Sequence, residues 1–237
     1  QTLTEGADPS KGLKILQAMT PFWIEYSLYD ECQRHIYPLL YENTSQVVLT
    51  LRQRMNLSAV AGKASTWAKG PTPETHSAWK TALTIAEKLD DKEIRLQAHY
   101  GLWLYYLRTG ELDKALEHAQ SMCELARSIT DEEAMATGLR ILGVSLHFLG
   151  RHDVGRDYLQ QSLDWYEHGE LSHSFRFGLD QESAGQAFLS RLLWLQGEYK
   201  AAKQMAWRGV KKAARLQHVC SLCCALAEGA CMTAALD

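Results

Sequence analysis

Four glycines recur along this chain at a nearly constant stride. Gly70, Gly110, Gly150 and Gly197 are separated by 40, 40 and 47 residues, and each follows an apolar run with helical periodicity. Glycine is the residue that most readily ends a helix in the left-handed conformation. A period of this length is typical of solenoids in which each unit is a helix, a turn and a second helix. We therefore predict stacked helical hairpins rather than a bundle around one centre.

The residues around these glycines repeat in the same register. A small residue stands five positions after three of the glycines, and a leucine stands eight positions before them. These are Ala115, Gly155 and Ala202, and Leu102, Leu142 and Leu189. A small residue lets the two helices of a hairpin approach closely, and a large apolar side chain fills the space beside it. One hairpin cannot hide its apolar face alone, so neighbouring hairpins must stack.

Helical periodicity covers almost the whole chain, and a strand-like run occurs only at 46–50. We expect an all-α fold, a right-handed α-α superhelix of about five helical hairpins, within a single domain over 1–237. The predicted units are 8–42, 45–89, 92–128, 132–167 and 180–216, followed by a final helix 218–236. The chain opens with Gln1 rather than Met and ends inside an apolar run. We expect it to be a fragment of a longer protein.

Leu142 and Gly143 followed by Gly150 resemble the tetratricopeptide repeat (TPR), although Trp103 stands where that repeat usually has glycine. Longer stretches are similar to one family, the bacterial regulators that join a winged-helix DNA-binding domain, a signal-transduction NTPase of the STAND type and a helical-repeat tail. The stretches that carry this resemblance are 23–32, 140–150, 172–181 and 187–197. The resemblance implies a cytoplasmic transcriptional regulator in which this fragment is the sensor or interaction arm.

In a right-handed stack, the first helix of each hairpin lines the concave surface. Residues ten, six and three positions before each hairpin glycine should then face a groove. They are Tyr100, Leu104 and Leu107, then Arg140, Val144 and His147, then Ala187, Arg191 and Trp194. Aromatic, apolar and cationic groups together suit a peptide or a small anionic ligand. The alternative is that Arg140 and Arg191 pair with Asp180 or Glu182 and only brace the stack.

The long connection over 167–180 accounts for the wider third glycine spacing. Long connections in compact domains are often functional. We expect Phe175 and Phe177 to dock onto the groove, with Arg176 or Asp180 facing a ligand.

Composition and motifs restrict the function. A net charge of −3 argues against direct nucleic-acid contact by this domain. No nucleophile with its base and no paired carboxylates can be assembled, so we predict no intrinsic catalysis and no cofactor or metal. The spacing of Cys220, Cys223, Cys224 and Cys231 along one helix stripe favours buried thiols over zinc. No apolar run is long enough for a membrane span.

Two further features concern the helix surfaces. Trp79, Trp165 and Trp207 lie amid apolar helical spacing and are predicted to be core residues. A basic cluster stands on the helix after Gly197, and it favours a solvated outer face over a surface for an acidic or phosphate-bearing partner. Its members are Lys200, Lys203, Arg208, Lys211, Lys212 and Arg215.

The function predicted from these observations is a non-catalytic sensor or protein-interaction domain. Its partner would be a protein, a peptide or a small effector, and binding would bias the nucleotide switch of the parent regulator. The alternative is a constitutive TPR scaffold that docks a peptide or helix of a partner protein. Self-association is a third possibility.

Overall fold

The structure, a computed structural model, describes residues 9–41, 49–168 and 174–234. Within these residues the regular secondary structure is entirely helical. The predicted all-α fold is therefore confirmed. The elements are α1 Pro9–Glu25, α2 Tyr29–Tyr41, α3 Leu51–Ala68, α4 Pro73–Lys88, α5 Lys92–Thr109, α6 Leu112–Ser128, α7 Glu132–Phe148, α8 His152–His168, α9 Gln181–Leu195, α10 Tyr199–Leu216, α11 Val219–Cys224, a π-helical turn Ala225–Ala230, and α12 Cys231–Ala234.

Helix α3 begins later than the sequence periodicity indicates. The Thr50 side chain accepts a hydrogen bond from the backbone N–H of Gln53 at 3.2 Å, and the Gln53 side chain accepts one from the backbone N–H of Thr50 at 2.9 Å. This reciprocal capping box satisfies two amide groups at the start of a helix. The helix therefore starts at Leu51 and not near 45, and residues 42–48 lie outside the described part of the chain.

The turn inside each hairpin has the geometry that the glycines predict. Gly110 and Gly150 have φ values of +80° and +77°, in the left-handed region. The amide after each glycine donates to a carbonyl five residues earlier, from Glu111 to Tyr106 at 2.9 Å and from Arg151 to Leu146 at 2.8 Å. These hydrogen bonds satisfy carbonyl groups at the helix end that have no partner within the helix. The glycines therefore close the hairpins as expected.

The chain forms two compact units, and the boundary between them falls between Tyr105 and Tyr106, inside α5. In the first unit α3 packs against α2 and α4. Trp79 of α4 is only 2% exposed, and its indole N–H donates to the Thr66 hydroxyl at 3.0 Å. A Cβ atom on Gly62 or Gly101 would come within 2.6 or 2.1 Å of this indole. Trp79 is therefore a core wedge, as predicted.

In the second unit α7 and α8 approach each other backbone to backbone. A Cβ atom on Gly143 would lie 2.7 Å from the carbonyl oxygen of Gly155, and one on Gly155 would lie 2.8 Å from that of Gly143. Leu142 and Leu189, two of the predicted plug leucines, are buried in this unit. The third, Leu102, is buried in the first unit. The predicted small and large positions of the hairpin are thus both confirmed.

Polar side chains link elements that are about one repeat apart. In the second unit Arg208 pairs with Glu167 at 2.8 Å, and Arg176 pairs with Asp131 at 2.8 Å. In the first unit Arg52 pairs with Asp91 at 3.0 Å. Exposed pairs such as Arg208–Glu167 each contribute only about 0–1 kcal/mol, whereas Arg176 and Asp131 are mostly buried. They therefore set the alignment of neighbouring hairpins, while apolar packing supplies most of the stability.

Some predicted core residues lie at the surface. Trp207 is 58% exposed, and Trp165 is half-buried. Cys223 and Cys231 are exposed, so the prediction of a buried thiol stripe was wrong. The buried positions of the last helical segment recur every fourth residue, at Ser221, Ala225, Gly229 and Thr233. A π-helical turn has more residues per turn than an α-helix, and it shifts the buried face away from the cysteines.

None of the helices in the described ranges is both long enough and apolar enough to pass through a bilayer.

The close contact at Gly155 gives a test of the hairpin packing. Gly155→Ala is expected to lower the free energy of unfolding by about 2 kcal/mol. The added methyl group meets a backbone oxygen that cannot rotate away, and overpacking of up to about 3 kcal/mol exceeds a helix-propensity gain of about 1 kcal/mol. Urea unfolding measures the change. In the control Gly185→Ala, the new methyl group meets the flexible end of Leu163 at 3.1 Å. Equal stability of the two variants would contradict this account.

Candidate functional site

The first helices of successive hairpins share one face in the second unit. Helix α9 packs against α7 on one side and against α11, the π-helical turn and α12 on the other. Helices α7 and α9 are each the first helix of a hairpin, and the last helical segment, from α11 to α12, follows α10 in the position of the next first helix. Side chains from three repeats can therefore meet a ligand on this face, which we call the first-helix face.

A cavity of about 100 Å³ opens on the first-helix face, at the end of α9. It is lined by Arg191, Trp194, Leu195 and Met232. Leu195 is 53% exposed and Met232 is 40% exposed, so apolar surface reaches the solvent at its rim. The structure thus brings together two predicted groove residues, Arg191 and Trp194, with two that were not predicted.

Arg191 is held in place by charge and by aromatic rings. Its guanidinium forms an ion pair with Glu228, and its side chain remains 17% exposed. The same guanidinium lies 5.5 Å from the ring centre of Phe148 and 5.7 Å from that of Phe188. A cation over an aromatic face at this distance is attracted by the ring electrons. The cavity therefore has a fixed cation at its edge.

Glu228 belongs to the π-helical turn. Gly229, the next residue, lies so close to α9 that a Cβ atom there would be 3.2 Å from the Cα atom of Ala187. The turn therefore packs directly against α9, and this contact places Glu228 next to Arg191. Single π-helical turns within helices frequently occur at functional sites. This position makes the turn part of the candidate site.

His147 lies beside the charged part of the site. Its Nδ1 atom is 3.1 Å from Nδ1 of His152, and its side chain is 6% exposed. Burial lowers the pKa of His147 from 6.5 to about 4, and the nearby charges of Arg191 and His152 add to this effect. The imidazole is therefore neutral near pH 7 and presents no second cation beside Arg191.

Several predicted groove residues are covered by protein. Tyr100 and Leu104 of the first unit are 4% and 7% exposed, and Val144 of the second unit is fully buried. Arg140 is 1% exposed, and its Nε and Nη2 atoms donate to the Gln181 side-chain oxygen at 3.0 and 2.7 Å. A ligand on the surface would reach these side chains only after the packing around them opened. Their role in binding stays a prediction.

The segment after the long connection is fastened by its polar groups. Arg176 donates to both carboxylate oxygens of Asp131, at 3.1 and 2.8 Å. Burial alone would raise the pKa of Asp131, but hydrogen bonds from Arg176 and from the Ala134 amide hold it below its ordinary value. Asp180 is 1% exposed and caps α9 by accepting from the Ser183 amide at 2.7 Å. Both predicted site residues therefore have structural contacts.

The aromatic residues of this segment face inward. Phe177 is 2% exposed, and the ring of Phe175 stacks on His218 at a centroid distance of 4.0 Å. Neither ring contributes to the cavity lining. Residues 169–173 of the connection lie outside the described ranges.

Both arginines of the bracing alternative have partners within the protein. Arg140 bonds to Gln181 and Arg191 pairs with Glu228, while Glu182 pairs with Lys212. Sequence spacing alone could not place Glu228, because the π-helical turn changes the phase of the last helical segment. No group of His, Cys, Asp and Glu suited to hold a metal ion occurs in the part of the chain that the structure describes.

No protein-family model and no curated protein matches this chain. Solved structures do resemble it. A Rap protein complexed with Competence and Sporulation Factor gives a TM-score of 0.73 at 16% identity, over 90% of this chain and 57% of that one. A signal transduction ATPase with numerous domains from Pyrococcus horikoshii, which has a tetratricopeptide repeat sensor, gives 0.62 at 15% identity, over 93% and 34%. The TPR-like repeats of a putative kinesin light chain from Podospora anserina give 0.60 at 14% identity, over 90% and 97%.

These likenesses show the fold. The chain has the TPR-like helical-repeat architecture, as the glycine spacing predicted. It spans little more than half the length of the Rap protein and about a third of the ATPase.

The buried histidine predicts a pH dependence of stability. Between pH 6.5 and about 4 the unfolded chain binds a proton at His147 that the folded chain does not bind. The free energy of unfolding should therefore fall as the pH is lowered through this window, by about 3 kcal/mol in all at about 1.4 kcal/mol per pKa unit. His147→Asn should remove this part of the slope in urea unfolding at several pH values. The control variant His35→Asn replaces a half-exposed histidine, and its free energy of unfolding should keep the same dependence on pH as that of the unchanged chain.

Proposed function

We propose that this chain is a non-catalytic sensor or interaction domain that binds a protein or peptide segment on its first-helix face. The observation that carries the proposal is the open cavity lined by Arg191, Trp194, Leu195 and Met232. Ligand sites combine apolar walls with a few fixed polar groups, and this cavity has one cation among three apolar side chains. The Rap protein with a similar fold was solved in complex with Competence and Sporulation Factor, which supports a ligand-binding role.

The cavity size favours one aliphatic side chain as the part of the ligand that enters. A dry cavity of about 150 Å³ holds a benzene molecule. A volume of about 100 Å³ is therefore suited to a branched side chain such as that of leucine or valine, and it is too small for an indole. A segment in an extended or helical conformation could present such a side chain while its backbone stays on the rim.

The charged groups at the rim of the cavity place a second requirement on the ligand. Arg191 is already paired with Glu228, so an anionic ligand group must compete with that carboxylate. Removing one partner of a partly buried pair leaves the other charge uncompensated. A ligand that carries its own carboxylate beside the aliphatic group keeps Arg191 compensated, and the displaced Glu228, whose side chain is 38% exposed, can be solvated instead. We therefore propose an aliphatic side chain with a neighbouring carboxylate as the preferred ligand pattern.

The proposal also concerns the longer protein to which this domain would belong. We propose that the parent is a bacterial transcriptional regulator with a STAND ATPase and a winged-helix domain. The similarity to a signal transduction ATPase with a tetratricopeptide repeat sensor supports this role. Ligand binding would shift the parent between two states only through a difference in affinity for them. The constitutive scaffold remains the alternative, in which binding occurs without a change of state.

The binding site can be tested with a phage-displayed library of random peptides. Trp194→Ala should weaken binding of the selected peptides by about thirtyfold or more, because aromatic residues in interface pockets contribute about 2 kcal/mol or more. Fluorescence titration measures the affinities. Trp165→Ala is a matched control, since Trp165 is also half-buried in the second unit but does not line the cavity. Equal losses in both variants, or no loss in Trp194→Ala, would exclude the cavity as the site.

The regulator and scaffold proposals differ in the full-length gene product. A regulator should carry a phosphate-binding loop and a winged-helix segment ahead of this domain, and its ATPase rate should respond to a selected peptide. In the parent with Trp194→Ala, this response should be lost while the rate without peptide is unchanged. A parent without these segments, or one whose ATPase ignores a bound peptide, would favour the scaffold.

A further inference from the structure

The cavity at the end of α9 has a charged end and an apolar end. Arg191 on α9 pairs with Glu228 on the π-helical turn. Four residues further along each segment, Leu195 on α9 and Met232 on α12 line the cavity. Side chains four positions apart on a helix are neighbours on one face, about 5–6 Å from each other. The charged end and the apolar end are therefore about one helical turn apart.

The two members of the ion pair differ in how firmly they are held. The Arg191 guanidinium lies over the rings of Phe148 and Phe188, and the Arg191 side chain is mostly buried. The Glu228 side chain is more exposed, at 38%. A carboxylate near the solvent can leave its partner at a small cost, whereas the aromatic rings continue to attract the cation. The pair can therefore open by a movement of Glu228 alone.

An opened pair presents a guanidinium and a carboxylate side by side next to an apolar cavity. A ligand with a carboxylate alone compensates Arg191 and leaves Glu228 to the solvent. A ligand that also has an ammonium group compensates both charges with charge-assisted hydrogen bonds. A free α-amino acid carries a carboxylate and an ammonium group on one carbon atom at pH 7. The charges of the site are therefore complementary to those of a free amino acid.

The apolar end of the cavity selects the class of amino acid. In leucine the methyl groups lie three carbon–carbon bonds, each of about 1.5 Å, from the carbon that bears both charges. With the radius of a methyl group added, this length is close to one helical turn. The volume of about 100 Å³ suits a branched aliphatic side chain and is too small for an indole. The wall at Trp194 is supported by the ring of Tyr199, at a centroid distance of 5.6 Å.

We propose that this cavity binds a free branched-chain amino acid (leucine, isoleucine or valine). The carboxylate of the amino acid pairs with Arg191, its ammonium group pairs with Glu228, and its side chain enters the apolar end. This inference rests on the proposed use of the cavity as a ligand site, and it adds an ammonium group to the ligand pattern. Because the amino acid and a peptide side chain would fill the same space, each excludes the other. The amino acid is therefore an effector that competes with the peptide.

NMR titration of the whole chain, labelled at the methionine methyl groups, measures the binding of leucine. The Met232 signal should shift with a dissociation constant of about 0.1–1 mM, because a ligand of this size has few atoms to contribute. The signal of Met19, a surface methionine of the first unit, should not move. A Met232 signal that stays unchanged up to about 10 mM leucine overturns the proposal.

Related compounds test each part of the ligand in the same titration. N-acetyl-leucine lacks the ammonium group and leucinamide lacks the carboxylate, and each should bind at least about tenfold more weakly than leucine, because one charge of the site is left without a partner. Alanine keeps both charges and should also bind at least about tenfold more weakly, because the apolar end stays unfilled. Equal affinity for leucine and alanine would overturn the placement of the side chain.

The variant Glu228→Gln removes the partner of the ammonium group and keeps the shape of the side chain. Leucine should then lose its advantage over N-acetyl-leucine, so the ratio of the two affinities should fall from about ten or more to about one. Both affinities are measured in the same variant, so any loss of folded protein cancels from the ratio. The control Glu167→Gln removes another paired carboxylate of the second unit and should keep the ratio. An unchanged ratio in Glu228→Gln overturns the ammonium contact.

The outcomes separate this inference from the proposed peptide site. If N-acetyl-leucine binds as tightly as leucine, the cavity recognises the carboxyl end of a peptide, and the inference is wrong while the proposed function stands. The same holds if leucine does not bind but Trp194→Ala still weakens the selected peptides. If leucine binds and displaces a selected peptide, both proposals are supported. If leucine does not bind and Trp194→Ala has no effect on the peptides, both are wrong.

Discussion

Each helical hairpin in this chain has an apolar face that it cannot cover by itself, and the next hairpin has to cover it. The rest of the structure follows from this requirement. Close backbone contact at Gly143 and Gly155 brings the two helices of one hairpin together, and large residues such as Leu189 fill the space beyond. In the second unit, stacking then brings the first helices side by side, and this alignment makes the cavity at Arg191.

Local signals allowed the hairpins to be predicted from the sequence. A glycine with positive φ is required where a helix ends and the chain reverses, so Gly110 and Gly150 mark the turns directly. The small and large positions around them are likewise set by contacts inside one hairpin. The long connection over 167–180 was also visible, because it widens the spacing before Gly197.

The site was harder to predict, because it depends on contacts between hairpins. Counting from the glycines placed Arg140 and Val144 on a groove, but neighbouring elements cover both side chains. The same counting placed Arg191 and Trp194 correctly beside a cavity, and it missed Met232. Nothing in the sequence marks the π-helical turn that sets the phase of Met232. Trp207 was misplaced because an apolar residue on an outer stripe has the same periodicity as a core residue.

The π-helical turn at Ala225–Ala230 makes the length of the last helical segment critical. Such a turn is equivalent to one residue inserted into an ordinary α-helix. Successive residues of an α-helix are rotated by about 100° around its axis. Deleting a single residue here would therefore swing Met232 around the helix and away from the cavity, while leaving every side chain before the deletion in place. Homologues that differ by one residue at this point should differ in what they recognise, even where their repeats are otherwise alike.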